Sequence, residues 1–444
     1  MSVSIGALVL AAVTSGQDGQ LQELQKMVQE LQQEVSELKM NNNDAWLTEQ
    51  RADEIQGLVR EILSDSESRY SLVGSGATAG YNGGAFLMSE DGNWKMKINA
   101  QLQTRWNYND ANEQPTRHGF EQRRTKIKFS GHILEPSWTY KISGTWGRGG
   151  GGNTEDAWIG KSFDSGSWIK VGQFKSKFLR EHLVSSSAQL AVERSMVNNA
   201  FTYGWTQGVE LGWGNEELRL SAQYTDGPNQ RNTALAANPT NAWNLRGELK
   251  FGDAGWKEFG SFTSKHGGGN GLLLGLAYQD FDRSGSTIKY GNTIASSSNG
   301  WTVDVSIRGD GWNIFGYVVN AKGSDFGVEQ KSSGWLVQGG FMVSDNSELF
   351  AQYQRGKIDD AVFVGASNEM SAIRLGINYW PTAGNKSLKW TTDIAWSQDA
   401  LAKGDGTGAS SADANWTSSG NGWRGDVNDQ DGQMLLRTQL QLLF

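Results

Sequence analysis

The strict alternation of apolar and polar side chains over residues 94–108 constrains the fold more than any other feature of the sequence. One set of alternate positions is apolar or aromatic and the other is polar or basic: Trp94, Met96, Ile98, Ala100, Leu102, Thr104, Trp106 and Tyr108 against Lys95, Lys97, Asn99, Gln101, Gln103, Arg105 and Asn107. Successive side chains of a β-strand point to opposite faces, so the stretch predicts a strand with one apolar and one polar face. Soluble strands are usually about 3–10 residues long. Aromatic residues at both ends are typical of a strand that crosses a membrane.

The last twelve residues, 433–444, repeat this alternation and end on an aromatic residue. Phe444 and Leu442 fall on one face of the predicted strand, whereas Gln439 and Arg437 fall on the other. A half-buried strand of a soluble β-sandwich shows the same pattern. The number of recurrences along the chain therefore has to distinguish a membrane barrel from a soluble sandwich.

The pattern recurs often enough to predict a closed barrel. We predict sixteen strands, at 94–108, 120–133, 138–147, 154–163, 168–175, 205–213, 217–226, 243–251, 272–280, 301–309, 311–320, 335–343, 348–355, 371–380, 387–396 and 433–444. An even number of strands is typical of bacterial outer-membrane barrels, and sixteen strands leave an aqueous channel rather than a packed interior. The predicted fold is all-β, a 16-stranded antiparallel transmembrane β-barrel over residues 94–444.

The connections between the predicted strands alternate in length. Seven of them are long, at 109–119, 176–204, 227–242, 281–300, 321–334, 356–370 and 397–432, and most of the others are tight turns. Long loops on one side and short turns on the other are typical of outer-membrane barrels. Two connections depart from this rule: 148–153 is short on the long side, and 252–271 is long on the short side and leaves room for a misplaced strand.

Composition excludes several other classes of protein. No apolar run reaches the roughly 18 residues of a transmembrane helix, so a helical membrane protein is excluded. The net charge of −8 argues against nucleic acid as a partner. The chain has no cysteine, its four histidines show no metal-ligand spacing, and it contains no Gly-x-Ser-x-Gly motif. We therefore predict no metal, no cofactor and no enzymatic activity.

The first 93 residues form a separate prefix. Residues 1–16 resemble a signal peptide. The basic region that normally begins a signal peptide is missing, which would fit a truncated start. Residues 17–70 carry a heptad seam, with Leu21, Leu24, Val28, Leu31, Val35 and Leu38 at alternating spacings of three and four. A helix packed on its own domain would show a similar stripe, but we favour a self-associating α-helical coiled coil. Residues 71–93, rich in Gly and Ser, are predicted as a linker.

The inward face of the predicted barrel is basic although the chain is acidic overall. Alternation places fifteen basic side chains inward (Lys95, Lys97, Arg105, Arg124, Lys126, Lys128, Lys141, Lys170, Arg219, Arg246, Lys250, Arg308, Arg374, Lys389 and Arg437) against four acidic ones (Glu210, Glu248, Asp304 and Asp393). Cations on a low-dielectric wall raise the local concentration of anions. The alternative is that these cations pair with loop carboxylates and leave little net field.

The connection 176–204, the third on the long-loop side, carries further candidates for the narrowest part of the channel. Lys175, Lys177, Arg180 and Arg194 are predicted to line it, while Glu193 and Arg194 could instead pair and hold the loop to the wall, the role that we favour for them. The full set of predicted anion-pathway residues is Lys95, Lys97, Arg105, Arg124, Lys126, Lys128, Lys175, Lys177, Arg180 and Arg194.

Several segments together resemble the phosphate-selective porin O and P family. They are the helical prefix, the basic second strand 120–131, Asp156-Ala157-Trp158, residues 171–175 and Glu193-Arg194-Ser195. The resemblance covers roughly residues 90–444 and is strongest over 120–195. It implies a homotrimer of sixteen-stranded barrels in the lipid of an outer membrane, passing small anions through an arginine- and lysine-lined route.

The sequence thus favours a passive channel of the outer membrane of a diderm bacterium, with a preference for small anions such as phosphate and with the N-terminal segment in the periplasm. The alternative is a structural protein that tethers the outer membrane to the cell wall through its coiled coil. Normal conductance together with loss of envelope integrity, after deletion of residues 17–65, would favour the tether.

Overall fold

The computed structural model describes residues 77–112, 114–147, 151–228, 230–234, 240–283, 288–290, 293–295, 297–325, 328–358, 369–401, 416–417, 420–427 and 430–444. The chain divides into two compact units, residues 1–74 and 75–444. The signal peptide and the coiled coil that we predict fall outside the described residues, as do residues 71–76 of the predicted linker.

The described residues form twenty β-strands, two short α-helices and one 3-10 helix. In chain order the strands are β1 (Ala77–Tyr81), β2 (Ala85–Ser89), β3 (Lys95–Ala111), β4 (Gln114–Ile133), β5 (Glu135–Trp146), β6 (Gly152–Ser162), β7 (Ser167–Lys175), β8 (Trp205–Gly214), β9 (Leu218–Thr225), β10 (Thr240–Gly252), β11 (Gly271–Arg283), β12 (Ile288–Tyr290), β13 (Thr293–Ala295), β14 (Ser297–Gly309), β15 (Trp312–Asp325), β16 (Val328–Ser344), β17 (Ser347–Ile358), β18 (Glu369–Tyr379), β19 (Leu388–Ser397) and β20 (Met434–Leu443). The helices are α1 (Arg180–Leu183), α2 (Met196–Phe201) and the 3-10 helix Glu258–Gly260. None of the helices in the described ranges is long and apolar enough to span a bilayer.

Sixteen of the strands close into a barrel. β3 to β11 and β14 to β20 pair antiparallel in chain order. β20 then pairs with β3 along ten residues, with Leu442 opposite Leu102 and Gln439 opposite Arg105. Closure leaves no unpaired edge, which is required of a sheet in lipid. The prediction of a sixteen-stranded antiparallel barrel is confirmed.

The two faces of the wall follow the predicted alternation. On β20, Leu440 and Phe444 are 52% and 56% exposed, whereas Arg437 and Gln439 are at most 3% exposed. Exposed aromatic and aliphatic side chains continue around the barrel, for example Trp301 on β14 and Leu375 on β18. An apolar outer belt of this kind is what a lipid environment demands.

Several strands extend further than the sequence pattern predicts. The predicted loop 109–119 is mostly strand, because β3 and β4 continue to Ala111 and from Gln114. The predicted loop 321–334 is also mostly strand, since β15 and β16 pair as far as Asp325 and Val328. These ends are polar on both faces, so the backbone ladder continues after the apolar alternation has stopped.

The predicted linker 71–93 is partly wrong, because residues 77–89 form the hairpin β1–β2. The hairpin extends the sheet where β2 pairs with the first residues of β3. Gly83 and Gly84, with φ of 57° and 144°, make its tight turn. The glycines that suggested a flexible linker supply the positive φ that the turn requires.

Part of the barrel interior is packed rather than open to water. Residues 176–204 between β7 and β8, here called the inner loop, fold into the barrel and place α1 and α2 there. Phe178, Met196 and Phe201 of this loop form one buried cluster with inward side chains of β15 and β17, including Phe315 and Phe350. Phe315 and Phe350 can be apolar at inward positions because they pack against the loop rather than against water.

The long connection on the short-turn side does not contain a further strand. Residues 253–270, here called the turn-end loop, carry the 3-10 helix Glu258–Gly260 instead. Ala254, Phe259 and Phe262 in this loop are almost completely buried. The turn-end loop therefore folds back onto the barrel rather than projecting into solvent.

Candidate functional site

A cavity of about 310 Å³ lies between the wall formed by β4 to β8 and the inner loop. We call it the basic cavity. Its charged lining comprises seven cationic side chains, Lys126, Lys128, Lys141, Lys170, Lys175, Lys177 and Arg194, and three carboxylates, Glu155, Asp156 and Glu210. The lining therefore has an excess of four positive charges.

Three lysines of the basic cavity are paired with its carboxylates. Lys126 Nζ lies 2.6 and 2.7 Å from the two carboxylate oxygens of Glu155. Lys170 Nζ lies 2.8 Å from Glu210, and Lys141 Nζ lies 2.8 Å from Asp156. Within the described part of the chain, the ammonium group of Lys128 forms no ion pair and that of Lys177 reaches Glu210 only at 3.8 Å. The excess positive charge of the cavity therefore comes from these last two lysines together with Lys175 and Arg194.

Aromatic rings support the lysine heads. The ammonium groups of Lys126 and Lys175 lie 5.7 and 5.3 Å from the centre of the Trp205 ring. Lys170 Nζ lies 5.1 Å from the centre of the Trp158 ring. Contact with a ring face stabilises a cation without neutralising its charge. Several like charges can therefore stay close together around one cavity.

His182 of the inner loop stays neutral beside these cations. Burial, and then the charges of Lys175 and Arg194, lower the pKa of His182 well below its usual value. Its imidazole packs edge to face on Trp205, with ring centres 5.3 Å apart. Since a neutral ring adds no charge, the positive field of the cavity comes from lysine and arginine alone.

Two β-bulges bring extra charged side chains into the interior. Arg123 is skipped in the β3–β4 ladder, and Glu155 is skipped in the β5–β6 ladder. A bulge re-aims a side chain by inserting one residue into a strand. Arg123 and Arg124 consequently both reach one inner-loop carboxylate, while Glu155 and Asp156 both reach cavity lysines. The strict alternation that we used for prediction places only one residue of each pair inward.

The inner loop is held to the wall by one carboxylate that binds three arginines. Glu193 accepts hydrogen bonds from Arg123 Nε at 2.8 Å, from Arg105 Nη1 at 3.3 Å and from Arg124. Burial alone would raise the pKa of Glu193, but Arg123, Arg124 and Arg105 outweigh it and hold that pKa well below its usual range. The carboxylate is therefore charged at neutral pH, and the loop is fixed by a buried ionic cluster.

The predicted pairing of Glu193 with Arg194 is replaced by other anchors. Arg194 donates to the backbone carbonyls of Glu181 at 3.0 Å and Val184 at 2.6 Å. Further along the loop, Asp393 accepts from the backbone amide of Val192 at 3.0 Å. Both members of the predicted pair thus hold the loop in place, each through partners of its own.

A second cavity, of about 480 Å³, lies at the end of the barrel that carries the short turns. We call it the rim cavity. Lys128 lines both cavities, and the neighbouring residues Ser186 and Ser187 line one each. Lys97 Nζ donates to the carbonyl of Asn82 at 2.6 Å, so the β1–β2 hairpin sits at this rim. Lys128 is common to both cavities, which we call together the basic route.

The predicted pathway residues fall into three groups. The first group lines the basic cavity: Lys126, Lys128, Lys175, Lys177 and Arg194. The second group anchors other segments: Arg105 and Arg124 bind Glu193, while Lys95 and Lys97 contact the β1–β2 hairpin. Arg180 forms the third group, because it is buried away from the cavity and pairs with Glu248 at 3.1 Å.

The interior is less one-sided in charge than the predicted ratio of fifteen to four. Sequence alternation missed the inward carboxylates Glu121, Glu155, Asp156, Glu193 and Glu348. Adjacent charged residues inside an otherwise alternating strand, Arg123-Arg124 and Glu155-Asp156, are the signal that could have revealed the two bulges. Glu121 lies on β4 on the far side of the first bulge, which reverses the count there, whereas Glu193 lies on a loop and Glu348 near a strand end, where the alternation carries little information.

The chain is similar to one protein family and to several solved structures. Residues 95–294 match the family model described as phosphate-selective porin O and P. A search of curated proteins finds no match. Three solved structures are similar in fold. An anion-selective porin from Comamonas acidovorans has 14% identity and a TM-score of 0.51, with 79% of this chain and all of that chain covered. Salmonella typhi OmpF in complex with daunomycin has 12% identity and a TM-score of 0.52, with coverage of 83% and 100%.

The third structure is the trimer form of in-vitro folded OmpT, an outer-membrane protein of Vibrio cholerae. It has 10% identity and a TM-score of 0.51, with 79% of this chain and 99% of that chain covered. At these identities the three structures show the fold. Together with the family match, they indicate a channel rather than an enzyme. The chain therefore has the fold of a porin-type channel of the outer membrane, and over residues 95–294 it is similar to the phosphate-selective porin O and P family.

Proposed function

We propose that the channel carries small hydrophilic solutes by passive diffusion and prefers anions. The observation that carries this proposal is the basic cavity, with seven cationic side chains against three carboxylates. A cavity of one dominant sign, enclosed by low-dielectric walls, concentrates ions of the opposite sign. The Comamonas acidovorans porin with the same fold is anion-selective, and the matched family is named for phosphate selectivity. Both support an anion as the solute.

The chemistry of the cavity favours small anions as a class, with phosphate among them. Its accessible cations are lysines, which act as point charges and impose little geometry on an anion. The arginines that could bind phosphate through paired hydrogen bonds are largely occupied, since Arg105, Arg123 and Arg124 bind Glu193. We infer that the lysines attract anions without demanding the shape of one particular oxyanion.

The functional unit that we propose is a homotrimer in outer-membrane lipid, with the N-terminal segment in the periplasm. The similarity to a barrel that has been seen in a trimer form supports the trimer. The heptad seam of residues 17–70 would join three prefixes as a self-associating coiled coil. Cross-linking of the protein in native membranes tests this arrangement, because a monomeric barrel would give no trimer band.

Planar-bilayer recordings test the anion preference. The purified protein should give a reversal potential on the anion side in a chloride gradient, and its conductance should be compared in chloride and phosphate salts. Saturation at low phosphate concentration would establish a phosphate-binding site, whereas a linear rise would indicate a general anion channel. A reversal potential on the cation side would refute the proposed preference.

The structure selects a sharper variant for the same recordings. Lys128→Glu combined with Lys177→Glu reverses two cavity charges that have no carboxylate closer than 3.8 Å among the ion pairs of the described residues. We expect the reversal potential to move toward cations. Lys322→Glu combined with Lys331→Glu, the same total charge change at two exposed positions on β15 and β16, serves as the control and should leave the potential unchanged. If both variants had the same reversal potential, the charges of the cavity would not explain the ion selectivity.

A further inference from the structure

The turn-end loop reaches the inner loop although the two enter the barrel from opposite ends. The backbone amide of Phe262 donates to the carbonyl of Ala188 at 3.1 Å. Arg180 of α1 donates to the carbonyl of Phe259, and its guanidinium lies 6.0 Å from the centre of the Phe259 ring. These contacts join a segment of the short-turn side to the loop that forms one wall of the basic cavity.

The turn-end loop is itself fixed to the barrel wall. Thr263 donates to the buried carboxylate of Glu348 at 2.8 Å, and Ser264 donates to the carbonyl of Gly309 at 2.6 Å. The Phe262 ring packs on Phe315 of β15, with ring centres 4.5 Å apart. Because the wall holds this loop and the loop holds Arg180 and Ala188, the turn-end loop bridges the wall and the inner loop.

The parts of the inner loop that it contacts lie next to the basic cavity. Arg180 begins α1, and Leu183 at the end of that helix lines the cavity. Ser185 and Ser186, shortly before Ala188, line it as well. A backbone shift at Arg180 or Ala188 would therefore move cavity-lining atoms, since the intervening segment is only a few residues long.

We propose that the turn-end loop positions the inner loop against the basic cavity, so that channel width and selectivity depend on a segment from the opposite end of the barrel. Buried Phe259 and Phe262 are the positioning residues, and neither of them lines the cavity. Interiors as closely packed as this one transmit local strain, so loosening the bridge changes the channel without altering any pathway residue.

The double variant Phe259→Ala with Phe262→Ala tests the proposal in the full-length protein. We expect a higher single-channel conductance, more frequent transitions between current levels and a weaker ion preference than in the wild type. His266→Ala is the control, because it removes an aromatic ring from the same loop. The His266 side chain is 44% exposed, lies 3.5 Å from the carboxylate of Asp310 and belongs to neither buried cluster of the described residues. The control should conduct as the wild type does.

A second variant keeps the test decisive if the double variant does not fold. Arg180→Lys leaves both phenylalanines in place and retains the positive charge, but it shortens the reach to the Phe259 carbonyl and the ring. It should shift conductance in the same direction. Folding is checked by heat-modifiable electrophoresis. Folded variants with wild-type conductance and selectivity would overturn the proposal, whatever the sign of the ion preference.

Discussion

At the scale of single residues, Glu193 is the main anchor of the inner loop. It is a buried carboxylate bound to Arg105, Arg123 and Arg124 on two strands of the wall. Removing one partner from a buried ionic cluster typically costs about 3–5 kcal/mol, because it leaves uncompensated buried charges. Here three guanidinium groups would be left facing one another. The loop should therefore depend on this one side chain more than on any single apolar contact.

Glu193→Gln should release the inner loop from the β3–β4 wall. We expect noisier single-channel currents, a shift of the reversal potential further toward anions and a lower temperature of unfolding. Bilayer recordings and a thermal melt in detergent measure these changes. The matched control is Glu369→Gln, since Glu369 also binds two cations, Arg355 and Lys357, but at an exposed position. If the two variants were equally mild, the ionic cluster would not be what holds the loop.

The same carboxylate predicts how the channel responds to acid. The pKa of Glu193 is held well below the ordinary 4.5, so its stabilisation is complete above about pH 4.5 and is lost as the pH falls through the depressed value. We expect the difference in open-channel noise between the wild type and Glu193→Gln to stay constant between about pH 8 and pH 5. Recordings across this range would contradict the assignment if that difference changed with a midpoint near pH 6.

At the scale of secondary-structure elements, the β-bulge at Arg123 explains how β4 presents consecutive arginines inward. A bulge adds one residue without changing the facing of the strand on either side. Deletion of Arg123 should therefore restore a regular ladder and keep Gln122 outward and Arg124 inward. The barrel should still fold, but it should bind Glu193 less tightly.

This prediction has a sharp control on the same strand. Deletion of Thr125, at a regular position, shifts the following residues by one and turns their side chains to the other face. We expect that protein not to fold, whereas the Arg123 deletion should fold and give the same loosened loop as Arg123→Gln. Refolding yield in detergent and heat-modifiable electrophoresis separate the cases. Failure of the Arg123 deletion alone would assign the bulge a role in folding.

The elements also show which information the sequence contained. A period of two was enough to predict sixteen strands and the facing of residues such as Arg437 and Leu440, because lipid and water impose opposite demands on alternate positions. The polar ends of β3 and β15 were predicted as loops, since no lipid selects apolar residues there. Bulged residues such as Arg123 and Glu155 escaped prediction because one extra residue breaks the count, and their role depends on loop residues distant in sequence.

At the scale of the whole molecule, the barrel interior is divided into a packed side and a charged side. Inward Phe315, Val319 and Leu336 pack with the inner loop, whereas the wall of β4 to β8 faces the basic cavity. Sequence alternation gave the direction of these side chains but not their environment, because an inward position meets either water or another segment of the chain. Only the fold of residues 176–204 decides between the two.

Replacement of residues 178–201 by a short Gly-Ser linker should not simply widen the channel. The deletion would expose an apolar inner wall, so we expect a lower temperature of unfolding and a conductance below that of a polar pore of equal width, since apolar walls exclude water. Serine at Phe315, Val319 and Leu336 in the same deletion should raise the conductance. A deletion variant that conducts fully without these serines would show that the packed side has no such role.

The off-centre position of the basic route means that the barrel separates its two tasks in space. One arc of the wall and its loop provide mechanical strength, and the arc from β4 to β8 faces the passing solute. Substitution of a few lysines and carboxylates on these adjacent strands, by natural variation or by engineering, can then change which solutes cross the membrane. The remaining two-thirds of the cylinder would keep its shape throughout such changes.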